Sequence, residues 1–233
     1  MKLAPQGATY ITYSELTILN GRKMGAKKRV LAVILSVVVV FSGSALLDKD
    51  NAAYGWWHDN NYNGIALNYS YPIAYHLFSG FGAGTKVGQR NTVAQWNSAV
   101  ALNRSLLSIH PVEHNTNIGY PYNNFISTIY GVKDNKADYL AKNSNFCWPQ
   151  TLPLVHIVYE SDINYNHIYK FSNSAVPGQF DAETVFLHQV GHTVGLANST
   201  VTSLVMYIGI AANKLKRTLT PTDRSLAHYR YHR

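Results

Sequence analysis

His188 and His192 stand four residues apart in Asp181–Val194 (DAETVFLHQVGHTV), a segment that reads as a helix opened by Asp181 with Glu183 in its first turn. That spacing puts two imidazoles on one helix face, one turn apart, where both can reach a single metal ion. Gly191 lies inside the helix, at a cost of about 1 kcal/mol relative to alanine, and such a glycine usually lets another backbone come close. Gly195 suits the left-handed position that ends a helix and turns the chain. The turn would carry residue 198 back toward the same ion.

A lone pair of histidines at this spacing is common in helices, so the weight lies on what accompanies it. The stretch Thr184–Tyr207 (TVFLHQVGHTVGLANSTVTSLVMY) resembles the metzincin zinc-peptidase signature, HExxHxxGxxH followed by a methionine turn. It is most similar to the small secreted, matrixin-like peptidases. The resemblance puts the first two zinc ligands on His188 and His192, the helix-ending glycine on Gly195 and the Met-turn methionine on Met206. Gly191 and Leu196 also fit. Leu219–Tyr231 (LTPTDRSLAHYRY) resembles the family's C-terminal helix, and the stretch around Trp96 its first long helix.

Two positions depart from the pattern. Gln189 stands where the family has its general-base glutamate. A carboxylate there takes a proton from the metal-activated water and passes it to the leaving amine; a carboxamide has the shape without the basicity, and loss of a general base costs about 10²–10⁴ in rate. Asn198 stands where the family has its third histidine ligand, and an amide oxygen is a poor zinc ligand beside imidazole. Zinc is thus the implied cofactor, held by a weakened set of His188, His192 and Asn198.

The rest of the chain predicts an α/β (α+β) domain. Gly64–Tyr71, Phe125–Tyr130 and Leu154–Tyr159 read as strands. Gly80–Gly84 reads as a turn. Thr92 and Gln95 form a capping-box pattern, which predicts a helix over Thr92–Arg104 anchored by Trp96. Thr220, Pro221 and Asp223 predict a last helix running to about His228. The Asn-rich chain between the later strands reads as loops, and Glu160 and Asp162 as a solvated strand end. By resemblance the fold is a twisted, mostly parallel sheet with two long helices beneath it, an active-site helix, a Met-turn and a mostly irregular C-terminal part.

Other candidate chemistry is weaker. His110 and His114 are also four apart, but Pro111 lies between them, and they read as exposed loop residues. His156 reads as a strand residue, and the acids near His156 and His167 do not match the structural metal site that some matrixins carry. Tyr207 is expected to be packing. No nucleophile-elbow motif supports Ser-His-Asp chemistry.

Lys27, Lys28 and Arg29, the apolar run Val30–Phe41 and the small residues Ser42–Ala45 have the order of a secretory signal peptide, cleaved after Ala45 or Ala53. Translation is expected to begin at Met24, leaving residues 1–23 as an upstream extension. The expected organisation is therefore 1–53 as extension and signal, and 54–233 as the catalytic-type domain, exported to the extracellular side. The alternative is an anchor in the membrane through residues 30–47. The net charge of +8 sits largely in this leader: residues 1–45 hold six basic side chains and one acid, and the chain from Tyr54 holds 13 basic and 9 acidic. No basic stripe remains to support nucleic-acid binding. Cys147 is the only cysteine, which excludes an internal disulfide and leaves no prosegment thiol to block a metal. A monomer is expected, with no stable membrane association after signal cleavage.

Three functions follow. The first is a secreted matrixin-like zinc endopeptidase with impaired catalysis. The second is a pseudopeptidase that keeps the fold as a peptide- or protein-binding module. The third is a decaying gene product. In the family the substrate lies extended along an edge strand above the metal, a geometry that loss of catalysis would leave in place.

Overall fold

The computed structural model describes residues 10–18, 65–67, 72–114, 127–132, 135, 139–148, 156–174 and 176–232. Their architecture is α+β: one eight-stranded sheet, a two-stranded sheet and three helices. The main sheet has the order β10-β1-β6-β7-β5-β3-β4, and β2 pairs with β7. Its strands are β1 (Tyr10–Ile18), β2 (Ile65–Ala66), β3 (Ile73–Leu77), β4 (Leu107–Ile109), β5 (Thr128–Val132), β6 (Tyr139–Trp148), β7 (His156–Asn166) and β10 (Gly209–Ile210). Strand β6 runs antiparallel to both its neighbours, and every other pairing is parallel, so the sheet is mostly parallel as expected. The small sheet pairs β8 (Phe171–Ser172) with β9 (Phe180–Asp181).

Helices α1 (Ala83–Val100) and α2 (Ala182–Val194) pack on each other and bury the core between themselves and the sheet. Trp96 is the anchor that its spacing predicts. It is fully buried, and its Nε1 donates to the Leu187 carbonyl of α2 at 2.8 Å. Phe186 meets the ring of Tyr75 on β3 edge-on at 5.8 Å. Helix α3 (Pro221–Tyr231) closes against α1 with the full Thr220/Asp223 capping box. From Gly195 to Thr220 the chain is mostly irregular.

Helix α1 begins nine residues before the predicted start. Its N-cap is Gly82, without a side-chain cap, and Thr92 is buried in mid-helix with no partner for its hydroxyl. Gln95 does not reach back to Thr92. Its amide instead spans to a distant segment, donating to Arg217 O at 2.8 Å and accepting from Leu219 N at 3.1 Å. The helix ends at Ala101 in the left-handed region, short of Arg104.

Three further expectations are corrected. The polar run expected as loops contains β6, a ten-residue strand with Asn143, Ser144 and Asn145 buried. Glu160 and Asp162 are not a solvated end; both are buried inside β7, which extends seven residues past Tyr159. Residues 10–18, expected to lie in the extension outside the folded domain, form a strand of the main sheet, for which the β-branched and aromatic content of YITYSELTI is well suited. Residues 19–64, with Met24, the proposed signal and its cleavage sites, fall outside the described residues, as do Gly64, Phe125 and Leu154 at the margins of the predicted strands.

Candidate metal centre

Helix α2 starts where its sequence says it should. Asp181 is the N-cap, and its carboxylate accepts from Thr184 N at 2.8 Å and from the Thr184 hydroxyl at 2.6 Å. Arg217 reaches the same carboxylate, with its Nε at 3.1 Å from each oxygen. The helix stops at Gly195, with φ of 105°, where the backbone N–H turns back to the carbonyls of Gly191 and His192. A side chain at Gly195 would meet both an unfavourable φ and the Ile65 carbonyl. A Cβ at Gly191 would run into the Met206 sulfur and the Trp96 ring, so here the close approach is by side chains.

His188 and His192 are both buried, and their Nε2 atoms lie 3.0 Å apart. Each ring is oriented by a backbone carbonyl: His188 Nδ1 donates to Val205 O at 2.9 Å, and His192 Nδ1 to Leu196 O at 2.9 Å. A carbonyl can only accept, so the proton of each neutral ring sits on Nδ1 and both Nε2 atoms present lone pairs. Burial pushes His188 down to about 4; burial and the neighbouring His188 push His192 down to about 3. Both rings are therefore neutral at pH 7. Two lone pairs at 3.0 Å repel unless a cation sits near both. Two nitrogens on one tetrahedral zinc stand about 3.3 Å apart, which this pair nearly matches.

Among the described residues no three His, Cys, Asp or Glu side chains gather as a metal-holding group. The candidate for a third donor is of another kind. Asn198 Oδ1 is buried with no hydrogen-bond partner, and the Asn198 side chain favours the charged form of both imidazoles. It is held there by Ser199, whose N–H donates to Met206 O at 2.7 Å and whose carbonyl accepts from Ile208 N at 3.1 Å. An orphaned amide oxygen with two imidazole lone pairs fits a divalent cation, with the amide as the weakest of the three donors.

Gln189 is fully buried one residue after His188. Its Nε2 donates to Ala141 O on β6 at 3.3 Å, and its Oε1 has no partner. Met206, nearly fully buried, lies against Gly191 of helix α2. Tyr207 packs under Lys216, whose Nζ is 5.2 Å from the ring centre.

Two supports were not singled out from the sequence. Asp223, the capping-box acid of α3, also accepts from Val205 N at 3.1 Å and so fixes the carbonyl that orients His188. Its box pattern shows the cap but not the second task. Behind α2, Thr193 Oγ1 lies 2.8 Å from Ser161 Oγ, 2.8 Å from the Tyr75 hydroxyl and 2.9 Å from Asn143 Nδ2, tying the helix to β7, β3 and β6. No local signal announces that cluster. Other described histidines have partners elsewhere: His110 stacks on His76 at 3.8 Å, His114 lies near Ile129 O, His167 is exposed beside Phe81 and Phe171, and His228 stacks on His232 at 4.0 Å.

A family model described as Matrixin matches residues 10–232 of the chain. None of the curated proteins compared with it matches.

Proposed function

The chain belongs to the matrixin family of metallopeptidases, and from that premise we propose that it is a zinc-holding, peptide-binding member in which hydrolysis is crippled at the proton-transfer step. His188, His192 and Asn198 would hold the zinc. Zinc bound there supplies Lewis acidity toward water and a peptide carbonyl.

The observation that carries this reading is the state of Gln189. Its carboxamide occupies a sealed position, tied to the Ala141 carbonyl, with a buried oxygen that no donor satisfies. An amide oxygen has no useful basicity at neutral pH, so the side chain cannot take a proton from an attacking water or hand one to a leaving amine. Around it the oriented imidazoles and the methionine packed against Gly191 are retained. Proposed ligands are extended peptide segments or proteins that present one. Export through the leader, with the domain acting as a monomer outside the cell, remains part of this proposal.

The test is repair. The double substitution Gln189→Glu with Asn198→His rebuilds a carboxylate and a third imidazole. It is expected to raise cleavage of a general fluorogenic peptide library by about 10²–10⁴ over the unsubstituted chain. Strong cleavage by the unsubstituted chain would overturn the proposal. A repaired chain that binds zinc and cleaves nothing would show that the groove itself has changed.

A further inference from the structure

Three stretches of the irregular C-terminal part meet at the ammonium of Lys216. Its Nζ donates to Thr202 O at 2.5 Å and to Leu204 O at 2.9 Å, and lies 5.2 Å from the centre of the Tyr207 ring. The backbone N–H of Lys216 donates to the Thr184 hydroxyl at 2.8 Å. These contacts put the cation beside the metal centre. Leu204 precedes Val205, whose carbonyl orients His188, and Thr184 stands one turn before His188 on α2.

The ammonium has no counter-ion. Among the described residues no carboxylate is ion-paired with Lys216, whereas the neighbouring Arg217 pairs with Asp181 and Glu183. Asp223 attracts Lys216, but its carboxylate is taken up by Val205 N, Thr220 N and the Thr220 hydroxyl. An ammonium has three N–H donors, and the two carbonyls use two of them. The candidate donors His188, His192 and Asn198, with Gln189 among them in sequence, are neutral at pH 7 and add no negative charge to repel an acid. Lys216 is half-buried, so a carboxylate reaching the third N–H meets it with less screening than at an open surface.

The surroundings are apolar. Val201 beside Thr202, Ile208 beside Tyr207 and Leu215 beside Lys216 are 53%, 40% and 48% exposed. Each is next in sequence to a residue at the ammonium, and together they are half of the six large hydrophobic side chains that the described residues expose. Aliphatic residues on more than one stretch around a cation suit an acidic side chain whose own chain continues apolar in both directions. A terminal carboxylate has chain on one side only, and its usual captor is a nest of backbone N–H groups.

We propose that Lys216 is a specificity-determining residue: it selects protein segments in which an aspartate or glutamate stands between aliphatic residues. This rests on reading the site as peptide-binding and names the peptides it takes. The carboxylate accepts from the third N–H of Nζ, and the flanking aliphatic side chains cover Val201, Ile208 and Leu215.

The test uses the full chain in zinc-supplemented buffer and three labelled nine-residue peptides. The first has blocked ends and a central Glu between leucines, the second has Gln in its place, and the third is the Gln peptide with a free C-terminal carboxylate. Affinities are read by fluorescence anisotropy. The Glu peptide is expected to bind about fivefold or more tightly than either Gln peptide. That preference should vanish in Lys216→Met and persist in Lys216→Arg. Because the preference is a ratio, a turn loosened by losing the bonds to Thr202 and Leu204 lowers both affinities and leaves the ratio unmoved. Equal binding of the two blocked peptides overturns the proposal. So does a preference that survives Lys216→Met, or a free-ended Gln peptide that binds as tightly as the Glu peptide. If Lys216→Met does not fold, acetylation of lysines in the unsubstituted chain decides, read by mass spectrometry. Stronger protection of Lys216 by the Glu peptide than by the blocked Gln peptide, with Lys214 unchanged, supports the proposal; equal or absent protection overturns it. Equal, measurable binding of all three peptides removes only the preference and leaves the peptide-binding reading standing. Binding of none removes both.

Discussion

At the residue scale, the site is a set of neutral donors held in place by backbone. His188 and His192 and the turn at Gly195 are legible in the sequence because helix period and backbone conformation depend on local spacing. What orients the rings is not legible. Their Nδ1 partners are the carbonyls of Val205 and Leu196, and a carbonyl leaves no side-chain signature. Burial has a consequence for pH. The folded-state pKa values of about 4 and about 3 lie below the ordinary 6.5, so between these limits the unfolded chain binds protons that the folded chain does not. Stability then rises with pH in that window. The penalty is absent above pH 6.5 and grows as the pH falls toward 4. In EDTA the metal-free chain should lose on the order of a few kcal/mol from pH 7 to pH 4.5 in denaturant titrations. A chain with His188→Gln and His192→Gln should lose measurably less over the same range. Equal losses would show that the imidazoles are not the source.

At the element scale, caps were readable and polar interiors were not. Asp181 and Thr220 start their helices as the sequence indicates, because a cap is a local bargain between a side chain and nearby N–H groups. Strand β6 has no strand signature in the sequence because Asn143 and Asn145, in place of apolar side chains, face a buried environment. Asn143 is satisfied by Ser161 and Thr193, distant in sequence, so no alternating hydrophobic pattern marks the strand. The early half of α1, Ala83 to Asn91, carries glycines and mostly polar residues and no apolar helical period; Gly88 there packs against Glu183 on α2. Asp223 joins two elements, capping α3 and accepting from the Met-turn backbone. Asp223→Ala should cost about 1–3 kcal/mol of stability by leaving buried donors unsatisfied. It should also weaken zinc binding, because the Val205 carbonyl loses its anchor; Asp223→Asn should recover part of both. Thermal melts with and without zinc read the two effects separately.

At the scale of the whole molecule, the resemblance, strong over about fifty residues of the sequence, extends to nearly the whole chain, since the matrixin match spans residues 10–232. The mostly parallel sheet, the two packed helices and the irregular C-terminal segment are those expected. The strand from the N-terminal segment was not legible, because its place depends on an open edge created far away by β6 and β10. The central claim is that the fold retains a zinc centre of two imidazoles and one amide while lacking a general base. Elemental analysis of the folded chain after dialysis against trace zinc tests it most directly. About one zinc per chain is expected, falling to none in His188→Ala/His192→Ala. A folded, unsubstituted chain that emerges without zinc would contradict the claim.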